Sequence, residues 1–157
     1  MDYTVTARQM MVSNLVTLNE NMDTLEAIDV LLKHRISGAP VVNDDGKFVG
    51  VFSESCCIRF LLALAYEQLP STSLNGFIDR NPPTINEETD LLTITQTFLN
   101  AECRRLPVLD SDGRLCGQIS RRDIMRAALK KLRSQPQTKT GASLYLSAVQ
   151  EDGDRPI

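Results

Sequence analysis

The sequence predicts an α+β fold of two tandem β-α-β-β-α repeats related by a pseudo-twofold axis. Three observations carry this expectation. The two halves of the 157-residue chain superimpose without a gap over most of their length at a step of 67 positions, the step from Pro40 to Pro107. Strand, helix and hairpin patterns follow one another in the same order in both halves. Composition is that of a globular chain, 42% hydrophobic against 24% charged residues, too apolar for a disordered one.

Each element can be read in both copies. VTLNENMDTL (16–25) falls on PTINEETDLL (83–92), and APVVNDDGKFVGVFS (39–53) falls on LPVLDSDGRLCGQIS (106–120). A short strand is expected at 16–19 and again at 84–86. Asp23 and Asp90 then stand where a helix N-cap belongs, with Glu26 completing a capping-box pattern in the first copy. Apolar residues recur at helical spacing, Leu25, Ile28, Leu31 and Leu32 in one copy and Leu91, Ile94, Phe98 and Leu99 in the other. Two β-rich runs flank Asp45-Gly46 and Asp112-Gly113, a strong hairpin signal. Leucine-rich segments 54–69 and 121–133 close the copies as helices.

A strand-helix-strand connection implies a right-handed crossover. One copy would bury its sheet poorly alone, so the pair is the expected folding unit. The expected organisation is a first repeat at 1–69, a linker PSTSLN at 70–75, a second repeat at 76–133 and a mobile C-terminal tail at 134–157. Within the tail, Leu144 to Val149 form a short apolar patch suited to local docking. The helix around Ile58 to Tyr66 is apolar on nearly every side. Two explanations stay open for it, a subunit interface or burial against the second repeat.

The formal net charge of −3, with no Trp and few aromatics, argues against nucleic-acid binding. The N-terminus lacks a signal-peptide pattern, and the run Ile58–Tyr66 falls short of the ~20 residues a membrane span needs. A soluble, cytoplasmic chain without membrane insertion is expected, with Cys56, Cys57, Cys103 and Cys116 reduced. There is no P-loop, no dinucleotide fingerprint and no metal-spaced His/Cys set. His34, the only histidine, reads as a helix-end residue rather than a base. No catalytic residue, no metal site and no enzyme activity are expected.

The stretches HRISGAPVVNDDGKFVGVFS and ECRRLPVLDSDGRLCGQISRRDI resemble the core of the CBS (cystathionine β-synthase) domain, and the likeness covers roughly residues 6–131. It implies a regulatory module that binds an adenosine-containing ligand (AMP, ADP, ATP or, less well matched, S-adenosylmethionine) between its repeats, requires no cofactor, homodimerises and reports to an effector protein. It also implies site residues. At Ser120-Arg121-Arg122-Asp123 a helix start favours phosphate, Ser120 and Arg122 would add phosphate contacts, and Asp123 would accept the ribose hydroxyls. The base would slot between Val16, Thr17 and Ile36, Ser37, with Gln118 on the near side. The same Ser-x-x-Asp pattern is also an ordinary helix cap.

The second cleft, at Thr84, Arg104, Ser53 and Cys56, has cysteine where the other repeat has Asp123. A thiol does not replace a carboxylate as a two-oxygen acceptor. That cleft is therefore expected to be degenerate or differently selective. Cys56 also has two readings, a thiol activated by a helix start or a small buried hydrophobe. The alternative function is a CBS-fold dimerisation or protein-interaction module without ligand control.

Overall fold

The computed structural model describes residues 5–134. The expected tail, 134–157, lies outside the described residues apart from Ser134. The 67-residue step survives in three dimensions, element by element. The first repeat runs β1 (Leu18–Asn19), α2 (Thr24–His34), β2 (Gly38–Val42), β3 (Phe48–Ser53) and α3 (Glu54–Tyr66), after a one-turn α1 (Ala7–Met10). The second runs β4 (Ile85–Asn86), α4 (Leu91–Ala101), β5 (Arg105–Leu109), β6 (Leu115–Ser120) and α5 (Arg121–Ser134), after a 3-10 turn at Leu74–Gly76. The fold is α+β. One compact unit ends at Ile124, and α5 continues from Met125 as part of a second.

Each repeat carries a three-stranded sheet, with β1 parallel to β2 and β3 antiparallel to it, and likewise β4, β5 and β6. The hairpin registers match, down to an irregularity at Val41/Val42 and its counterpart at Val108/Leu109. Gly46 and Gly113 hold φ of 79° and 78° in the two hairpin turns, the left-handed region that glycine enters without cost. The first strands are shorter than the sequence implied, two residues each.

Both middle helices start on the expected aspartates. Asp23 accepts the Leu25 N–H at 2.8 Å, and Asp90 accepts the Thr93 N–H at 2.8 Å. The apolar stripe of α2 differs from expectation. Thr24, Ala27 and Leu31 are buried, while Leu25 and Leu32 are 54% and 72% exposed. The small Ala27 lets the helix lie close on Ala39 and Val41 of the sheet, and this rotates the longer leucines outward. In α4 the expected Leu91, Ile94 and Phe98 are buried, but Leu99 is exposed.

The segment expected as a linker is docked rather than loose. Thr72 donates through its hydroxyl to Asp23 Oδ2 at 2.6 Å. The Thr24 N–H and hydroxyl both bond the Thr72 carbonyl, and the Leu74 N–H bonds the Met22 carbonyl at 2.9 Å. Leu74 is fully buried in the core of the first repeat, with Leu18, Leu31, Val41, Phe52 and Cys56. Its counterpart, α1, does the same to the second repeat. The Ala7 N–H bonds the Thr89 carbonyl at 2.8 Å, and Arg8 pairs with Glu87 and Glu88. Each repeat is thus completed by the segment that leads into the other.

Helix α3 buries only Cys56 and Phe60, the latter edge-on to Phe77 with ring centroids 4.9 Å apart. Ile58, Leu61, Leu62, Leu64 and Tyr66 are exposed.

Candidate functional site

The exchanged leaders build the site. Residues following the 3-10 turn reach β3, where Asp79 and Val51 exchange backbone hydrogen bonds at 2.9 Å in both directions. The pseudo-equivalent pair, Val12 and Gln118, does so at 3.0 Å. The approach is close at both places. A Cβ on Gly50 would lie 2.2 Å from the Asp79 carbonyl oxygen, and one on Gly117 would lie 2.6 Å from the Met11 sulfur.

Between the repeats lies a cavity of about 520 Å³, within the ~300–1,000 Å³ typical of small-molecule sites. One wall is the backbone of β2 and β3 with Ser53, Glu54 and Ser55 at the start of α3. The other comprises Asp79, Pro82 and Pro83 before β4, together with Ala101 to Arg105, Pro107 and Gln118. Prolines and strand backbone supply flat, weakly polar surface, and Glu54, Asp79, Glu102, Arg104 and Arg105 supply charge.

Of the expected site residues, Ser37, Gln118, Ser53 and Arg104 line this cavity. Ser37 and Gln118, expected on the Asp123 side, line the same cavity as Ser53. Val16, Thr17, Ile36, Thr84, Cys56, Ser120, Arg122 and Asp123 are not part of its lining. Ser120 and Asp123 are nevertheless brought together. Asp123 Oδ2 accepts the Ser120 N–H at 2.8 Å and its hydroxyl at 2.9 Å, and the Asp123 N–H returns to Ser120 Oγ at 3.3 Å. This is the reciprocal helix cap that the pattern allowed.

Cys56 does not face the cavity. It is 1% exposed and belongs to the core of the first repeat. Its sulfur lies 3.4 Å from Ser53 Oγ and 3.5 Å from Arg59 Nη2. Replacement of a carboxylate at position 56 therefore does not describe the chemistry of this cleft.

Arg105 is the residue that the sequence reading missed. Its guanidinium crosses from the second repeat to the first, donating to the Gly38 carbonyl and lying 3.4 Å from Ser37 Oγ. Burial, then repulsion from Arg104, pulls its pKa down, and the charge of Glu54 offsets part of this. Among the described residues neither arginine has an ion pair within 4.0 Å. Three carboxylates, Glu54, Asp79 and Glu102, line the same space, so an anionic group is favoured only where it meets the two guanidiniums. One signal was available, a charged residue opening a strand (RLPVL) whose counterpart (GAPVV) opens with glycine. Cys103 also lines the cavity, and burial pushes its thiol pKa up.

The profile of the CBS domain family matches residues 7–63 and 74–130, the two repeats described above. The chain belongs to the CBS domain family. Its pair of CBS domains is 33% identical over 138 residues to the chloroplastic CBS domain-containing protein CBSX1 of Arabidopsis thaliana, covering 69% of this chain and 57% of that protein. It is 34% identical over 119 residues to an uncharacterized protein of Methanocaldococcus jannaschii, covering 76% of this chain and 41% of that one. The CBS pair thus spans roughly half the length of these curated relatives. Among solved structures it is similar to CBSX2 of Arabidopsis thaliana in complex with AMP, with a TM-score of 0.70 and 26% identity, covering 80% of this chain and 96% of that one. No helix among the described residues is long and apolar enough to cross a membrane, and no group of three or more His, Cys, Asp or Glu is placed to hold a metal ion.

Proposed function

We propose that this CBS pair is a regulatory module that binds an adenosine nucleotide between its repeats and signals occupancy to an effector protein. The observation that carries the reading is the inter-repeat cavity of about 520 Å³, walled by both repeats and holding Arg104 and Arg105. Its size suits a mononucleotide. Pro82, Pro83 and the strand backbone suit a flat purine, while the arginines and the hydroxyls of Ser53 and Ser55 suit a phosphate. The similarity to CBSX2, solved with AMP, supports the same ligand class. On the pseudo-symmetric side, Val16, Thr17, Ile36, Ser120, Arg122 and Asp123 form a second nucleotide cleft in this proposal, while Ser37 and Gln118 belong to the Ser53 cavity. Filling it requires Asp123 to turn from its cap on Ser120 towards the ribose.

The test is a thermal-shift screen followed by titration calorimetry with AMP, ADP, ATP and S-adenosylmethionine. A ligand present at 100 times its dissociation constant adds roughly 2.7 kcal/mol to stability. AMP, ADP or ATP is expected to raise the melting temperature, and S-adenosylmethionine, which brings no phosphate to Arg104 and Arg105, less. No shift with any of the four would overturn the reading.

A second reading, a dimerising interaction module without ligand control, is favoured by the exposed apolar face of α3. A homodimer through this face is compatible with either reading. The screen decides between them, because only the first requires a nucleotide shift.

A further inference from the structure

We infer that Glu54 is the acceptor for the ribose diol in the Ser53 cavity, a role that position 56 cannot fill because Cys56 faces the core. The inference rests on the nucleotide reading and names the residue that sets its sugar specificity.

A vicinal diol presents two hydroxyl donors side by side, and an ionised carboxylate presents two matching acceptors. Three carboxylates line the cavity, Glu54, Asp79 and Glu102. Asp79 accepts the Asn81 N–H at 3.1 Å through Oδ1, and its backbone is fixed to Val51. Glu102 stands at the C-cap position of α4, with φ of 50°, on the wall opposite the start of α3. Glu54 is the first residue of α3, between the two serines that line the cavity with it. Its backbone is anchored by a 3.0 Å bond from its N–H to the Ser37 carbonyl. Among the described residues its carboxylate has no hydrogen bond and no ion pair, so binding a diol breaks no internal contact. Its charge is felt by Arg105, which lines the same space.

The carboxylate of this cleft is therefore moved by two residues rather than lost. Ser53-Glu54-Ser55-Cys56 places it at the first helical position, with the thiol turned inward beneath Ser53. Ribose-containing ligands are selected over deoxyribose ones.

The experiment is titration calorimetry of the full chain with AMP and with 2′-deoxy-AMP, for the native protein, Glu54→Gln, Glu102→Gln and Asp123→Asn. The amide keeps the shape of the side chain but supplies only one acceptor oxygen, and the position is exposed, so melting temperature serves as the check on folding. The native protein is expected to prefer AMP by roughly tenfold. In an Asp123→Asn background, which removes the ribose acceptor of the other cleft, Glu54→Gln should lose that factor for AMP and show no preference between the two ligands, while Glu102→Gln keeps it. A preference that survives Glu54→Gln in that background overturns the inference and leaves the nucleotide reading standing. A preference abolished by Asp123→Asn alone moves the diol to the other cleft and also overturns it. Failure of the native protein to bind either ligand ends the nucleotide reading itself, and this inference with it.

Discussion

Arg105 donates through its guanidinium to the carbonyl of Gly38, the residue that holds its own place in the other repeat. The pseudo-twofold is broken at this contact. A Cβ at Gly38 would lie 3.2 Å from the Phe52 carbonyl oxygen, a tight approach that favours glycine there, while the other member of the pair extends a long cation across the interface. One cleft gains a guanidinium that its sibling lacks.

Arg105→Gln is expected to weaken AMP binding by about ten- to a hundredfold, the scale of a lost charge-assisted hydrogen bond. Some stability should go too, about 1–2 kcal/mol, because the bonds to Gly38 and Ser37 join the repeats. Calorimetry and urea melts measure both. Unchanged AMP affinity in a folded Arg105→Gln protein would remove the arginine from the site.

The two close approaches of the exchanged leaders should differ in cost. In Gly50→Ala the new methyl meets a backbone carbonyl at 2.2 Å, which moves only if the Asp79–Val51 bridge opens. In Gly117→Ala it meets the side chain of Met11 at 2.6 Å, and methionine is flexible. Gly50→Ala is expected to lose about 2–4 kcal/mol and Gly117→Ala about 1 kcal/mol. Equal losses in denaturant melts would mean that the Met11 contact is as rigid as the backbone one.

Acid should loosen the leaders before the sheets. The Thr72 hydroxyl and the Leu25 N–H hold the Asp23 carboxyl below the usual range, and Arg8 does the same for Glu87. Carboxylates that ionise more readily in the folded state stabilise it above about pH 4, where unfolded ones are charged, and that contribution disappears as pH falls through the lower folded values. Hydrogen exchange between pH 5 and pH 3 should open residues 7–12 and 72–76 first, and Asp23→Asn should make the latter segment labile already at pH 5. Uniform loss of protection across the chain would contradict this.

The repeat, the hairpins, the aspartate caps and the family could all be read from the sequence because each depends on local chemistry repeated at one spacing. A turn glycine or a capping carboxylate reports on its immediate neighbours. The exchange of leaders could not be read this way. Thr72 and Leu74 look like linker residues until Asp23, 49 positions before Thr72, and the core of the first repeat are placed around them. The site shared that difficulty. Ser53 and Arg104 were found as pseudo-equivalents of motif positions, but whether position 56 faces ligand or core depends on how α3 rolls on the sheet, and Cys56 rolls inward. Arg105 escaped notice because its partner is a backbone carbonyl, which no side-chain pattern reveals.

Helix α3 provides the last test, since its two faces make opposite demands. Phe60 is fully buried and packs on Phe77, so Phe60→Ala should cost roughly 3–5 kcal/mol at any protein concentration. Ile58 and Leu62, one turn apart, are 66% and 59% exposed in the single chain. A helix with such a face needs a covering partner, and a second copy, meeting it through the same face about a twofold axis, satisfies that need for both chains. The native protein is then expected to sediment as a dimer at micromolar concentration, with a melting temperature that rises with concentration. Ile58→Glu and Leu62→Glu should convert it to monomer. At the lowest concentrations they should cost little stability, because neither residue touches the core. A dimer that persists in the double variant would place the contact elsewhere. A large concentration-independent loss would mean that these leucine-class side chains are buried within one chain after all.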